Sequence, residues 1–353
     1  MKSNMEDQQQ IDTQKQYNQK MVSKYKDHVN DSTLILFNDK HIKSLSFVSQ
    51  LEVTTLRILD FRQEQLIDVP KQLEQLCIVS NFLKNIDSIK EITNLQYLNL
   101  LCMQIDSITA ICNQTSLKEL YLSNNKISDI GLLGNLVNLN KLQISVAQIK
   151  QITSVQYLVN LIELELSGNA ISDISPLSSL GGLHTLDLGD NQIQDISSLR
   201  HLTELRILSL HSNQIIDIYP LSYLTYLLSL QLFENQVIDI SPLINLEDLE
   251  ELYFDKNFIS DFSALKTEQF TDYDFSQQSV PTEQQVILSN RISQIHLIEE
   301  KVSKLSNKRI RNKFTKLQIE TNMKTIHSKQ KHFVFIETAA NMFMTENNFG
   351  FFV

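Results

Sequence analysis

Glycine and cysteine are scarce in this chain, seven and three among 353 residues. So little glycine leaves almost nothing from which to build phosphate-cradling loops, and the pair Gly181-Gly182 falls in a segment whose spacing has another explanation. Cys77, Cys102 and Cys112 are odd in number and follow no disulfide framework, which predicts a reducing compartment: the cytoplasm, with the nucleus as second choice. The first ten residues, MKSNMEDQQQ, lack the apolar core of a signal peptide. No apolar run is long enough to cross a membrane. The stretch 333–353 is interrupted by Glu337, Asn341, Glu346, Asn347 and Asn348, so it reads as a packing helix and tail. The eight histidines do not fall at metal-ligand spacing with cysteine, and no nucleophile, base and orienting group converge. The expectation is a protein that is not an enzyme and needs no metal, cofactor or small-molecule substrate.

What is present is a period. Asn81, Met103, Asn125, Ala147, Asn169, Asn191, Asn213, Asn235 and Asn257 stand 22 residues apart without insertion or deletion. Around each runs the frame L-x-x-L-x-L-x-x-N-x-I-x-x-I, as in LKELYLSNNKISDI and LHTLDLGDNQIQDI. Self-similarity at this period marks a leucine-rich repeat, whose units bury their apolar faces only by stacking. In the unit around Asn125, residues Glu119 to Ser123 alternate polar and apolar, the strand pattern. Leu120 and Leu122 then point inward, while Glu119, Tyr121 and Ser123 point out. The fold predicted is an α/β solenoid: a horseshoe with a parallel sheet on its concave face and short 3-10 turns on its convex face.

The compact amide of asparagine carries two donors and one acceptor. Asn81, Asn125, Asn169, Asn191, Asn213, Asn235 and Asn257 are therefore expected to form a buried ladder, which Met103 and Ala147 interrupt. On the return side, Asp173, Asp217 and Asp239 suit the cap of a short helical turn, with Pro176, Pro220 and Pro242 among its first residues. Toward the N-terminus, Leu56, Leu59, Phe61, Leu66 and Val69 read as one more coil with Glu64 at the Asn position. Leu34, Leu36, Ile42, Leu45 and Phe47 read as an irregular first coil.

These residues resemble the 22-residue class of leucine-rich repeats found in internalins and in the leucine-rich-repeat regulatory subunit of protein phosphatase 1. The resemblance covers roughly 34–266 and rests on buried positions, so it is specific for fold and weak for partner. The lead-in YNQKMVSKYKDHVNDSTLILFND is also similar to large intracellular repeat families of single-celled eukaryotes, which implies protein binding.

The domain boundaries expected are a polar, disordered segment over 1–13 and an N-terminal capping helix over 14–33. A solenoid of about 10–11 coils over 34–266 follows, then a closing loop over 267–283 and a basic helical region over 284–353. Charge divides the same way. Residues 151–261 hold 16 acidic and three basic residues, whereas 284–331 hold 11 basic and three acidic. Such asymmetry speaks to partners rather than to fold. Within the basic region, Leu288, Ile292, Ile295, Ile298, Val302 and Leu305 form an amphipathic stripe, followed by Lys301, Lys304, Lys308, Arg309, Arg311, Lys313 and Lys316. That cluster could cap the repeats, meet the chain's own acidic coils or hold an anionic partner; its few aromatics argue against nucleic acid.

The outward strand positions supply the candidate binding residues: Tyr97, Tyr121, Glu163, Glu165, Asp187, His211, Phe233, Tyr253 and Asp255. Aromatic side chains among carboxylates are what a protein-binding patch uses. The function expected is an intracellular protein–protein interaction scaffold that takes a partner with a basic surface. The alternatives are a phosphatase regulatory subunit and an adaptor acting through the basic C-terminal helix.

Overall fold

A computed structural model describes residues 2–37, 42, 44–101, 104–265, 270–274, 276 and 279. All of these lie in the first of two compact units, Met1–Val286, the second being Ile287–Val353. Met103 and the basic region over 284–353 lie outside the described residues.

Helix α1 spans Lys2–Tyr25. Thirteen strands follow in one sheet, in chain order. The first five are β1 (Val29–Asn30), β2 (Thr33–Phe37), β3 (Thr55–Leu59), β4 (Gln75–Val79) and β5 (Tyr97–Leu101). Next come β6 (Glu119–Tyr121), β7 (Lys141–Gln143), β8 (Glu163–Glu165) and β9 (Thr185–Asp187). The last four are β10 (Ile207–Ser209), β11 (Ser229–Gln231), β12 (Glu251–Tyr253) and β13 (Asp272–Asp274). Strands β1 and β2 form an antiparallel hairpin, and every later pair is parallel.

Alternation along each short strand seals the interior. Leu98, Leu120, Leu142, Leu164, Leu186, Leu208, Leu230 and Leu252 are paired across successive strands and fully buried, and so are Leu100, Leu122, Ile144, Leu166, Leu188 and Leu210 in the next inward row. Each such side chain contributes about 1.5–3 kcal/mol on burial, but only when the next coil covers it, which makes stacking obligatory.

The asparagine ladder follows one rule. From Asn125, Nδ2 donates to the carbonyls of Leu100 and Leu122, both at 2.8 Å, and Oδ1 accepts the N–H of Ile105 at 3.2 Å. Asn169, Asn191, Asn213, Asn235 and Asn257 repeat all three bonds at the same offsets. The residue before each takes a left-handed backbone: Asn124, Gly168, Asp190, Ser212, Glu234 and Lys256 have φ of 59°, 66°, 52°, 50°, 59° and 54°. That turn aims the next side chain inward.

Asn81 does not join the ladder, contrary to the sequence reading. It is exposed, and Ser80 before it is not left-handed. Instead the buried Ser80 hydroxyl donates to the Phe61 carbonyl and accepts the N–H groups of Phe82 and Leu83. Glu64 is likewise not the equivalent position one coil earlier. Thr55 pairs with Gln75, a 20-residue offset, so Phe61 occupies that place, preceded by left-handed Asp60 at φ 60°. Val53, Leu56 and Ile58 are the inward set, and Leu59 faces out. Leucines three apart satisfy the frame in two registers, and inter-strand pairing selects between them.

On the convex side, five-residue 3-10 turns recur at Gly131–Asn135, Thr153–Tyr157, Ser175–Ser179, Ser197–His201, Tyr219–Tyr223 and Ser241–Asn245. Asp173, Asp217 and Asp239 sit one residue earlier than a cap. The capping position is an isoleucine, and each Asp Oδ1 accepts the N–H two residues on, at 2.8–2.9 Å. These are Asx turns leading into the helical residues.

Both ends differ from expectation. Helix α1 begins at Lys2, so the segment 1–13 is helical from its second residue; it contains no Gly or Pro and is rich in good helix formers. The helix stops at Tyr25, and Val29–Asn30 turns into the hairpin, so 14–33 is not helical throughout. It caps the stack through buried Met21 and Tyr25, the latter stacked on Phe47 at 5.7 Å. At the far end, the stretch expected as a closing loop supplies β13, one more rung paired with β12. Among the described residues the strands in parallel pairing thus number twelve, β2–β13, the last lying beyond the span 34–266.

Candidate functional site

Three outward rows run along the concave sheet, fixed by strand register. The first reads Tyr97, Glu119, Lys141, Glu163, Thr185, Ile207, Ser229, Glu251 and Asp272. The second reads Asn99, Tyr121, Gln143, Glu165, Asp187, Ser209, Gln231, Tyr253 and Asp274. The third, just beyond the later strands, holds Ser123, Ser145, Ser167, Gly189, His211, Phe233 and Asp255. All nine candidate residues lie in these rows, but they fall into separate groups.

Tyr97 and Tyr121 are half-buried neighbours with ring centroids 5.4 Å apart. The Tyr121 hydroxyl donates to Glu119 Oε2 at 2.7 Å, and Lys141 Nζ lies 5.7 Å from its ring centre. Burial first, and then the hydrogen bond to Glu119, push the Tyr121 hydroxyl well above the ordinary tyrosine range.

Glu163, Glu165 and Asp187 form the centre. Lys141 is paired with Glu163, which raises the ammonium above its usual value. Burial raises the Glu165 carboxyl; Lys141 opposes that, and the like charges of Asp187 and Glu163 add to it. The adjacent acids therefore repel one another, with Lys141 the cation beside them among the described residues.

His211 and Phe233 form the third group, at 4.6 Å edge to face. The imidazole fills the space left by Gly189, where a Cβ would stand 1.9 Å from His211 Cε1. His211 Nδ1 is buried with no hydrogen-bond partner among the described residues. Phe233 is thus partly committed within the chain. Tyr253 is committed too: it donates to Asp272 Oδ2, which pushes its pKa up to about 12. Asp255 is raised by burial and by Asp274, Lys256 opposing. Lys256 itself is paired with Glu234.

The sequence reading missed Ile207, a 47 %-exposed outward residue, and the whole outward face of β2–β4. The first could have been found by extending the offset of six before Asn213. On β3 the frame placed Leu59 inward and so concealed the second; on β2 and β4 simple alternation would have given it. Among the described residues no three His, Cys, Asp or Glu side chains are grouped to hold a metal ion, and no helix is long and apolar enough to cross a membrane.

Comparison with known proteins gives one family. The model for leucine-rich repeats (two copies) matches residues 115–157, 159–201 and 182–223. An internalin (inlF) from Listeria monocytogenes is 30% identical, with 67% of this chain and 78% of that one covered at a TM-score of 0.59. A leucine-rich-repeat protein of Leptospira interrogans shares the fold at 22% identity, covering 73% of this chain and 81% of its own, at a TM-score of 0.56. So does the ectodomain of the plant membrane receptor kinase GASSHO1/SCHENGEN3 from Arabidopsis thaliana, at 19% identity and a TM-score of 0.56. The match there covers 69% of this chain and 32% of the ectodomain, which was solved in complex with CASPARIAN STRIP INTEGRITY FACTOR 2. No curated protein matches in sequence.

Proposed function

We propose a function from one premise: this chain belongs to the leucine-rich-repeat proteins, which commonly serve as protein–protein interaction scaffolds. Its concave sheet binds a partner protein, and the partner presents a basic surface. The observation that carries this is the excess of carboxylates on the outward rows. Both nearby lysines, Lys141 and Lys256, are already paired, with Glu163 and Glu234. Glu165, Asp187, Glu251, Asp255, Asp272 and Asp274 have no paired cation among the described residues, and Glu165 and Asp255 are held above their ordinary values by burial and like charge. A basic partner relieves that crowding and is steered toward it during encounter. The leucine-rich-repeat ectodomain of the plant receptor kinase, whose fold is shared, was solved in complex with CASPARIAN STRIP INTEGRITY FACTOR 2.

The test is affinity capture from lysate with the full chain and with a variant carrying Glu165→Gln, Asp187→Asn and Asp255→Asn. Proteins retained by the native chain should be lost on the variant and at high salt, while melting temperature does not fall. An identical captured set on both chains would refute the assignment of this face.

A further inference from the structure

The corrected register exposes a second chemistry on the same sheet. Phe37 pairs with Leu59, Leu59 with Val79, and Val79 with Leu101, so four large apolar side chains form one outward row across β2–β5. None is needed inside, because Leu34, Leu36, Leu56, Ile58, Leu76, Ile78, Leu98 and Leu100 fill the interior. Phe37 is 67 % exposed and Ile35 in the adjacent row 42 %. From β6 onward the same row turns to Ser123, Ser145, Ser167 and Gly189, and the acids begin beside it.

We propose that β2–β9 form a two-part track for one polypeptide segment, with large apolar side chains seated on Phe37, Leu59, Val79 and Leu101 and lysine or arginine reaching Glu165 on β8 and Asp187 on β9. This rests on the concave face being the binding surface and adds the partner's chemistry and direction. Direction follows from charge: the outward positions of β2–β5 carry one ionised group, Arg57, and no acid, so the basic end of the segment is repelled there and drawn toward β8. Length follows from geometry. Four strand steps from β4 to β8 span about 19 Å, which about six extended residues cover. Ser123 and Ser145 leave a low floor between the two parts.

The experiment is selection of random displayed peptides on the immobilised full chain, with winners measured against two variants. Phe37→Ser with Leu101→Thr removes the apolar row; Glu165→Gln with Asp187→Asn removes the acids. Val79→Thr replaces Leu101→Thr if melting shows a folding defect. The expected winners carry apolar side chains and a basic cluster about six residues apart, and each variant weakens them by about tenfold or more. Winners that are only basic, or that ignore the apolar variant while losing affinity to the acidic one, overturn the two-part track and leave the acidic face standing. Winners indifferent to both variants, or no enrichment at all, count against both readings. Self-association in sedimentation that Phe37→Ser abolishes also overturns the track, since a second copy then covers the apolar row.

Discussion

Ala147 stands where six other coils have a ladder asparagine, and its replacement tests the ladder directly. The loop it belongs to is built like the rest: Val146 has φ 53°, and its N–H meets the Ser167 carbonyl at 2.9 Å, as that of Asp190 meets His211. An asparagine introduced by Ala147→Asn should therefore point inward. It would donate to the carbonyls of Leu122 and Ile144, each now bonded to one ladder amide, from Asn125 and Asn169 respectively. Its Oδ1 would accept the N–H of Ile127. The N–H is worth most, because an unmet buried donor costs about 1–3 kcal/mol whereas a carbonyl that keeps one bond loses little. Ala147 is only half-buried, so water shares the work, and the net gain should be about 1–2 kcal/mol, or about 2–8 °C in melting temperature. The reverse change, Asn235→Ala, takes the acceptor from Ile215 at a buried site and should cost about 2–4 kcal/mol. Denaturant melts and hydrogen exchange at the Ile127 amide would measure both. No rise in melting temperature together with unchanged protection of Ile127 would refute the ladder accounting.

Val146 is β-branched and left-handed, a backbone state that β-branched side chains resist; Val146→Asn should stabilise by about 1 kcal/mol, read from thermal melts. Glu165→Gln should separate stability from binding. The Glu165 carboxyl is raised in the folded chain, so its contribution is present below the ordinary carboxylate range and is lost as pH rises through the folded value. The glutamine variant should therefore melt higher than the native chain at neutral pH, with the gap closing below about 4.5, while capturing basic partners less well.

Legibility tracked repetition. Leu120, Leu142 and Leu164 could be assigned inward because each sits at the same place in a frame that never slips, and their outward neighbours Tyr121, Glu163 and Glu165 followed with them. Glu64 was misassigned because the frame there admits two registers, and only the pairing of Thr55 with Gln75 separates them; the same slip hid Leu59 as an outward residue. Asn81 keeps the 22-residue register but leaves the ladder because the Ser80 hydroxyl makes the bonds there and no left-handed residue precedes it. Helix α1 was read too short because a polar stretch carries no periodic signal, although its composition permits a helix.

The repeated apolar frame alone determined that the chain must stack and, wherever the 22-residue period holds from Leu117 onward, which side of each strand faces in, since a unit that cannot cover its own leucines has one way to lose them from water. Tertiary pairing alone decided which side chains from different coils stand next to one another. It set Phe37 beside Leu59, fitted His211 over Gly189 and left Glu165 crowded, because rows across a sheet are made by register between strands and not by order along the chain.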